Sequence, residues 1–201
     1  KPDYAVTGVQ TCALPIYIST FLDETKQIAD KIDKNAIASA IGLLRELKSR
    51  SGRLFILGNG GSAANASHAV NDFRKIAGIE AYAPSDHFAE ISAYANDAEW
   101  QYAYGNWLRN SRWSTNDMLL VLSVGGGSET VSANLHVAMR AAHTQGIPIV
   151  SIVSRDGGTA GRLSDVCILV PVVCQKRITP HAESWQSIVL HLLVNALMEG
   201  K

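Results

Sequence analysis

The sequence predicts an α/β fold, a three-layer doubly wound parallel sheet with a pair of helices ahead of it. Three observations lead there. Four runs, "LFILG" from Leu54, "MLLVL" from Met118, "IPIVSIV" from Ile147 and "VCILV" from Val166, are of strand length and almost entirely apolar. The first two run straight into glycine clusters, and each cluster opens into a stretch of helical period. A strand that is apolar on both faces must be covered on both, which is the arrangement of a parallel sheet between helix layers.

In chain order, Lys1 to Ile16 comes first, and its "VTGVQTCALPI" has no helical or strand period and resembles the translated read-through of a common sequencing adapter. These residues are expected to be a non-native or disordered lead-in, with a single domain over 17–201. From Tyr17, "YISTFLDETKQIADKID" sets Ile18, Phe21, Leu22, Ile28 and Ile32 broadly on one helical face, and "AIASAIGLLRELKSR" does the same with Ile37, Ile41, Leu44 and Leu47. The strand "LFILG" ends in glycines and a helix runs from Ser62 to about Ile76. "AGIEAYAP" fits no element clearly. "EWQYAYGNWLRNSRW" carries three of the four tryptophans, a density that suits packing or a subunit interface. "MLLVL" is a second strand, followed by a glycine loop and a helix with Val131, Leu135, Ala138, Met139 and Ala142 as its apolar stripe. Two more strands follow, and an apolar helix from roughly Glu183 to Met198 closes the chain.

Eighteen basic and eighteen acidic residues cancel, so nothing in the charge balance calls for a nucleic acid or a membrane surface as partner. Cys12, Cys167 and Cys174 lack the paired spacing of a disulfide framework or zinc ribbon, which fits a reducing, cytoplasmic setting. No apolar run approaches the about 20 residues of a membrane span.

In such a sheet, ligands bind outside the carboxyl ends of the strands, where the glycine loops lie. The loop Asn59, Gly60, Gly61, Ser62 and the loop from Ser123 through Gly125 and Gly126 to Ser128 both carry hydroxyls. Glycine lets backbone N–H groups close on an anion, and the following helix adds its positive end. Either loop alone fits a tight turn equally well; two in one sheet favour a phosphorylated ligand. The segment from Gly58 also matches a permissive G-x-G-x-x-A dinucleotide pattern with Glu80 about 20 residues on, but that acid is not at the end of a clear second strand and the second loop would go unused. After the first loop, His68 and Asp72 stand four apart on one helical face, able to share a metal or a substrate, or to form a simple surface ion pair.

Taken together, "GNGGSAANASHAVNDF", "YAND", "LSVGGGSETV", "SRDGG" and "HLLVNALM" resemble the sugar isomerase (SIS) domain, and within it the phosphoheptose isomerases, which interconvert sedoheptulose 7-phosphate and a manno-heptose 7-phosphate. The resemblance covers about Tyr17 to Glu199. It implies the SIS fold, a sugar-phosphate substrate held by the two loops, an aldose–ketose isomerisation by acid–base proton transfer, and a homotetramer with sites between subunits. It implies Asp72 and His191 as the proton-transfer pair, Glu183 and Asp97 near the sugar, and His68, Asp72, Glu183 and His191 as holders of one Zn²⁺ per site, since a zinc ion lies among the matching residues in some members. Ser85, Asp86 and His87, ahead of "YAND", read as turn chemistry.

Four departures are visible. Asp72 stands where the family has glutamate, and Glu183 where it has glutamine. Val124 and Gly125 replace hydroxyl-bearing residues of the second loop, and His181 replaces an arginine. Eight residues of helix span about 12 Å, so Glu183 and His191 share a metal only if Glu183 lies at the helix start or comes from another subunit. These changes keep a second reading open, a non-catalytic SIS module that binds a sugar phosphate or a protein partner.

Overall fold

The computed structural model describes residues 9–199, with side chains from Leu14 onward. Helices α1 (Val9–Lys31) and α2 (Lys34–Ser49) precede β1 (Leu54–Gly58) and α3 (Gly61–Asp72). Then come β2 (Ala81–Tyr82), α4 (Phe88–Ala98), α5 (Trp100–Asn110), β3 (Met118–Leu122), α6 (Ala133–Thr144), β4 (Ile149–Val153), α7 (Gly158–Leu163), β5 (Val166–Leu169) and α8 (Ile178–Ala196). The five strands form one sheet in the order β2-β1-β3-β4-β5, and every pairing is parallel.

The side-chain period of two along each strand sorts the core into two layers. Leu54 and Ile56 of β1 and Met118, Leu120 and Leu122 of β3 point to one face, where α1, α2, α3 and α8 supply Ile28, Leu44, Leu47, Val70, Val189 and Leu193, with Phe73 just past α3. Phe55, Leu57, Leu119 and Val121 point to the other, against α4, α5 and α6 with Trp107, Leu108, Leu135 and Met139. The doubly wound, three-layer reading is therefore what the chain adopts.

Several boundaries differ from the expectation. "AGIEAYAP" contributes the edge strand β2, whose two residues are too few to show a period. The tryptophan-rich segment is mostly α5; Trp107 is buried edge-on against Phe55, with ring centroids 5.6 Å apart, so this aromatic belongs to the core. Val131 is exposed, ahead of the start of α6. On α1, Ile28 and Ile32 face the core whereas Ile18 and Leu22 are half exposed. The first helix runs back to Val9, through Pro15, so residues 9–16 are helical where the sequence predicts an irregular lead-in. The last helix begins at Ile178, five residues before Glu183, because Thr179, Pro180 and His181 fill a first turn in which a proline loses no helical bond.

Candidate active site

In the order β2-β1-β3-β4-β5 the chain reverses its direction of sheet growth between β1 and β3, and a crevice opens there at the carboxyl ends of both strands. The two glycine loops flank it. A cavity of about 360 Å³ lies between them, lined by both loops together with Ser62, Arg155, Asp156 and Glu183.

The first loop is pinned from behind. Gly60 caps α3 with φ 58° and ψ −126°, a conformation that requires glycine. Tyr104 of α5 donates its hydroxyl to the Gly58 carbonyl (2.6 Å) and to Asn59 Oδ1 (3.0 Å). Burial pushes the Tyr104 phenol up to about 12, so it remains a donor. Asn59 and the buried Asn134 of α6 exchange two amide hydrogen bonds, each 2.9 Å. Asn59 thus borders the cavity, but its amide is engaged by protein on both sides, and its observed contacts are those of a loop anchor.

The second loop shows why two of its glycines are glycines. The carbonyls of Gly126 and Gly127 accept from Ala160 N (3.0 Å) and Thr159 N (2.9 Å) at the start of α7, and Val124 O accepts from Ser154 N (3.0 Å). In a trans peptide the N–H points opposite to the C=O. The N–H groups of Gly125 and Gly127 are therefore turned away from α7 and β4, and among the described residues neither finds an acceptor. Both glycines border the cavity and carry unpaired N–H donors, which is what an anion needs. The expected hydroxyls border the cavity and also accept within the loop, Ser123 Oγ from Gly126 N (3.1 Å) and Ser128 Oγ from Val131 N (3.0 Å). They shape the loop. Ser62, 2 % exposed, sits in the first turn of α3 and borders the cavity.

At the far end of α3 lies the second constellation. Asp72 Oδ2 is 3.2 Å from His68 Nε2 and 3.4 Å from His191 Nδ1, and Asn71 donates to its other oxygen at 3.1 Å. The two imidazoles meet edge to face with centroids 5.1 Å apart. One donor atom from each of the three residues lies within 4.8 Å of the others. Asp72 is 8 % exposed, whereas both imidazoles are about half exposed. The helix changes character at this point, since Phe73–Ala77 is a π turn ended by Gly78 at φ 69°, and such turns recur at functional sites.

Glu183 is not part of this cluster. It sits eight residues before His191 on one unbroken helix, which separates the two by about 12 Å along the axis, and its carboxylate lies over Gly61, where a Cβ would stand 2.5 Å from it. The expected four-residue metal set is corrected to three within one chain, with Glu183 at the cavity end of α8 and His191 at the cluster end. Asp97, on α4, is exposed, accepts from Asn96 Nδ2 at 2.9 Å and borders none of the described cavities. Ser85 and Asp86 form a 3-10 turn, with Ser85 Oγ 2.7 Å from Ser67 Oγ, as turn chemistry predicts.

His181, standing in for the family's arginine, is buried one turn ahead of the cavity. It meets Glu24 of α1 (Nε2 to Oε2, 2.8 Å) and stacks on Phe21 at 4.5 Å. Arg177 donates to both oxygens of the same carboxylate. Arg177 first, then His181, hold the Glu24 carboxyl down to about 2. An arginine four residues earlier supplies the charge that His181 does not, and it is bound to Glu24, away from the cavity.

Sequence reading missed Tyr104, Asn134 and Arg155. Asn134 has a signal in retrospect, a polar residue directly ahead of the apolar stripe of α6; Tyr104 has none, since its partner lies 46 residues away.

The SIS domain family matches residues 17–154. A phosphoheptose isomerase of Cytophaga hutchinsonii is 30% identical over 163 residues, covering 78% of each chain. The lincomycin biosynthesis protein LmbN of Streptomyces lincolnensis is 29% identical over 188 residues, which span 88% of this chain and 66% of that one. The solved phosphoheptose isomerase of Neisseria gonorrhoeae superposes with a TM-score of 0.78 at 25% identity, covering 92% of this chain and 98% of the other.

Proposed function

The chain belongs to the SIS domain family, and from that premise we propose that it is an aldose–ketose isomerase that interconverts sedoheptulose 7-phosphate and D-glycero-D-manno-heptose 7-phosphate. The observation that carries the reading is the pairing of a cavity between the two glycine loops, beside the start of α3, with a carboxylate held between two imidazoles at the end of that helix. Gly61 and His68 are seven residues apart, so they share a helix face and are separated by about 10 Å. Eight bonds join C1 of a seven-carbon 7-phosphate to its phosphorus. At the reach of an extended chain, about 1.2 Å per bond, they span a similar distance.

The isomerisation moves a proton between C1 and C2 and another between their oxygens. Asp72 and His191 carry these transfers: one removes the carbon-bound proton while the other hands a proton to the carbonyl oxygen, giving the enediol, and the reverse pair of steps at the neighbouring carbon completes the reaction. His68 shares the Asp72 carboxylate and so fixes its orientation. The cluster also suits Zn²⁺, because two imidazoles and a carboxylate within 4.8 Å are a three-donor set that leaves a position open. Bound there, the ion would polarise the substrate's oxygens.

The SIS unit is read as 17–201. A homotetramer is supported by the apolar side chains exposed along α1, Leu14, Ile16, Ile18 and Leu22 among them, which a neighbouring copy would cover. The half-exposed thiols of Cys167 and Cys174 suit a reducing cytoplasm. The balanced charge gives no footprint for nucleic acid, and no described helix is long and apolar enough to cross a membrane.

The test is direct: purified protein is given sedoheptulose 7-phosphate, the aldose product is measured, and zinc is quantified in the same sample. Turnover with about one Zn²⁺ per site is expected. Tight sugar-phosphate binding with no turnover, metal-loaded or not, replaces the enzyme with a binding module.

A further inference from the structure

The phosphate end of this site carries a charge problem. Its lining includes two carboxylates, Glu183 and Asp156, and two of the hydroxyl positions the resemblance calls for are Val124 and Gly125. Free backbone N–H groups at Gly125 and Gly127 are dipoles, not charges, and a phosphate dianion entering between two carboxylates needs a cation. Among the residues that line the cavity only Arg155 supplies one.

Arg155 has three further marks. Its backbone sits at φ 55°, in the left-handed region that a long side chain adopts only under strain. The surroundings enforce this. Ser154 before it is buried, with its N–H on Val124 O (3.0 Å) and its hydroxyl on Val170 O (2.8 Å), and Asp156 after it accepts from Gly158 N at 3.2 Å. The side chain passes over the second glycine loop, where a Cβ on Gly125 would lie 3.9 Å from Arg155 Cδ. Finally, the guanidinium makes no hydrogen bond and no ion pair with any described residue, whereas Arg53 and Arg177, the two arginines whose carboxylate partners are buried, are both bound to them. A strained backbone that aims an unpartnered arginine across an anion cradle is an arrangement that a structural role leaves unexplained.

We propose that Arg155 is the phosphate-charge partner of this site and sets its preference for phosphorylated over unphosphorylated sugars. The proposal rests on the sugar-phosphate reading above and adds to it the residue that replaces the lost hydroxyls. Its place in the β4–α7 loop follows from the packing of that loop on the second glycine loop. Gly126 there comes so close that a Cβ would meet Gly157 O at 1.8 Å, and Gly158 so close that a Cβ would meet Gly125 O at 2.3 Å. The two loops pack backbone to backbone, which sets the arginine beside the cradle.

The experiment compares wild type with Arg155→Gln, Arg155→Lys and Arg155→Gly. Kinetics on sedoheptulose 7-phosphate are measured alongside the binding of inorganic phosphate by calorimetry. A hydrogen bond from a charged group contributes about 1.5–3 kcal/mol, so Arg155→Gln should raise KM and the phosphate Kd by about 10- to 100-fold while kcat changes less than about threefold. Arg155→Lys should recover most of the affinity. Arg155→Gly, which relieves the φ strain, should gain thermal stability and still bind phosphate weakly, which separates loss of charge from loss of fold. Unchanged KM and unchanged phosphate affinity in Arg155→Gln overturn the proposal and leave the isomerase reading intact. A wild type that binds phosphate in an Arg155-dependent way but does not isomerise overturns the isomerase reading and leaves this proposal standing. A wild type that isomerises but shows no Arg155-dependent phosphate binding places the phosphate elsewhere and overturns the proposal.

Discussion

Asp72 is the shorter of the two acidic side chains, and at 3.2 and 3.4 Å from the imidazoles of His68 and His191 its carboxylate already fills the gap between them. With Asp72 and His191 as the proposed proton-transfer pair, Asp72→Asn should lower kcat by about 10²- to 10⁴-fold with sugar-phosphate binding little altered, and His191→Gln should act similarly. Asp72→Glu restores the family residue and should keep a measurable fraction of turnover, since the carboxylate survives and the imidazoles at 54 and 51 % side-chain exposure have room to yield. Steady-state kinetics on the three variants checks this, and equal loss in Asp72→Glu and Asp72→Asn would point to geometry, not acid–base chemistry, as the role of that carboxylate. Glu183 illustrates how much a neighbour decides. By identity it is a metal ligand as good as Asp72, yet the helix that carries it puts it at Gly61, at the other end of the site.

At the scale of elements, the site is held by the loops that follow β1 and β3 and by what braces them. Tyr104→Phe removes the hydroxyl that ties Gly58 O and Asn59 to α5. It leaves a buried carbonyl short of a donor, so stability should fall by about 1–3 kcal/mol in denaturant unfolding and sugar-phosphate KM should rise with it. Gly126→Ala is a harsher change, because the added methyl meets Gly157 O at 1.8 Å and the backbone is at φ 72°. It should cost at least about 2 kcal/mol by the same measurement. Ser62→Asp puts a carboxylate in the first turn of α3 at a position 2 % exposed, where burial opposes the favourable helix dipole. Weakened phosphate binding should therefore come with a fall in thermal stability, read by calorimetry and melting on the same sample.

Across the whole molecule, α1 is joined to the start of α8 through Glu24, Arg177 and His181. The Glu24 carboxyl is held near 2 in the fold against an ordinary value of 4.5. A carboxyl lowered on folding adds stability that is fully present above its ordinary value and is lost as pH falls from about 4.5 towards 2. Thermal melting followed across that window should therefore show a steeper fall for the wild type than for Glu24→Gln, and a parallel fall in the two proteins would show that the carboxylate contributes nothing to acid sensitivity. The same contact joins α1 to the start of α8, while the apolar side chains exposed on α1 are left for a neighbouring copy to cover. Light scattering at micromolar concentration tests that assembly, with a tetramer as the expected mass and a monomer as the contrary result.

What the sequence determined by itself is the architecture and the chemistry of single segments. Strand-length apolar runs demand a covered parallel sheet, glycine clusters behind them mark the loops that can close on an anion, and the four-residue spacing of His68 and Asp72 puts them on one helix face, because all of these are local periodicities. Tertiary structure alone decided which segments meet. His191 reaches Asp72 across 119 positions, Tyr104 reaches Gly58 from another layer of the sandwich, and Arg155 arrives over Gly125 because β4 lies beside β3. Within one chain it also set Glu183 apart from the three-donor cluster, and it gave the Ser123 and Ser128 hydroxyls, which border the cavity, backbone N–H partners in their own loop. The physical reason is common to these cases. Periodicity records the environment a residue needs, buried or exposed, whereas a site is a set of distances between chain-distant atoms, and those are set by how the sheet orders its strands and how the helices pack across it.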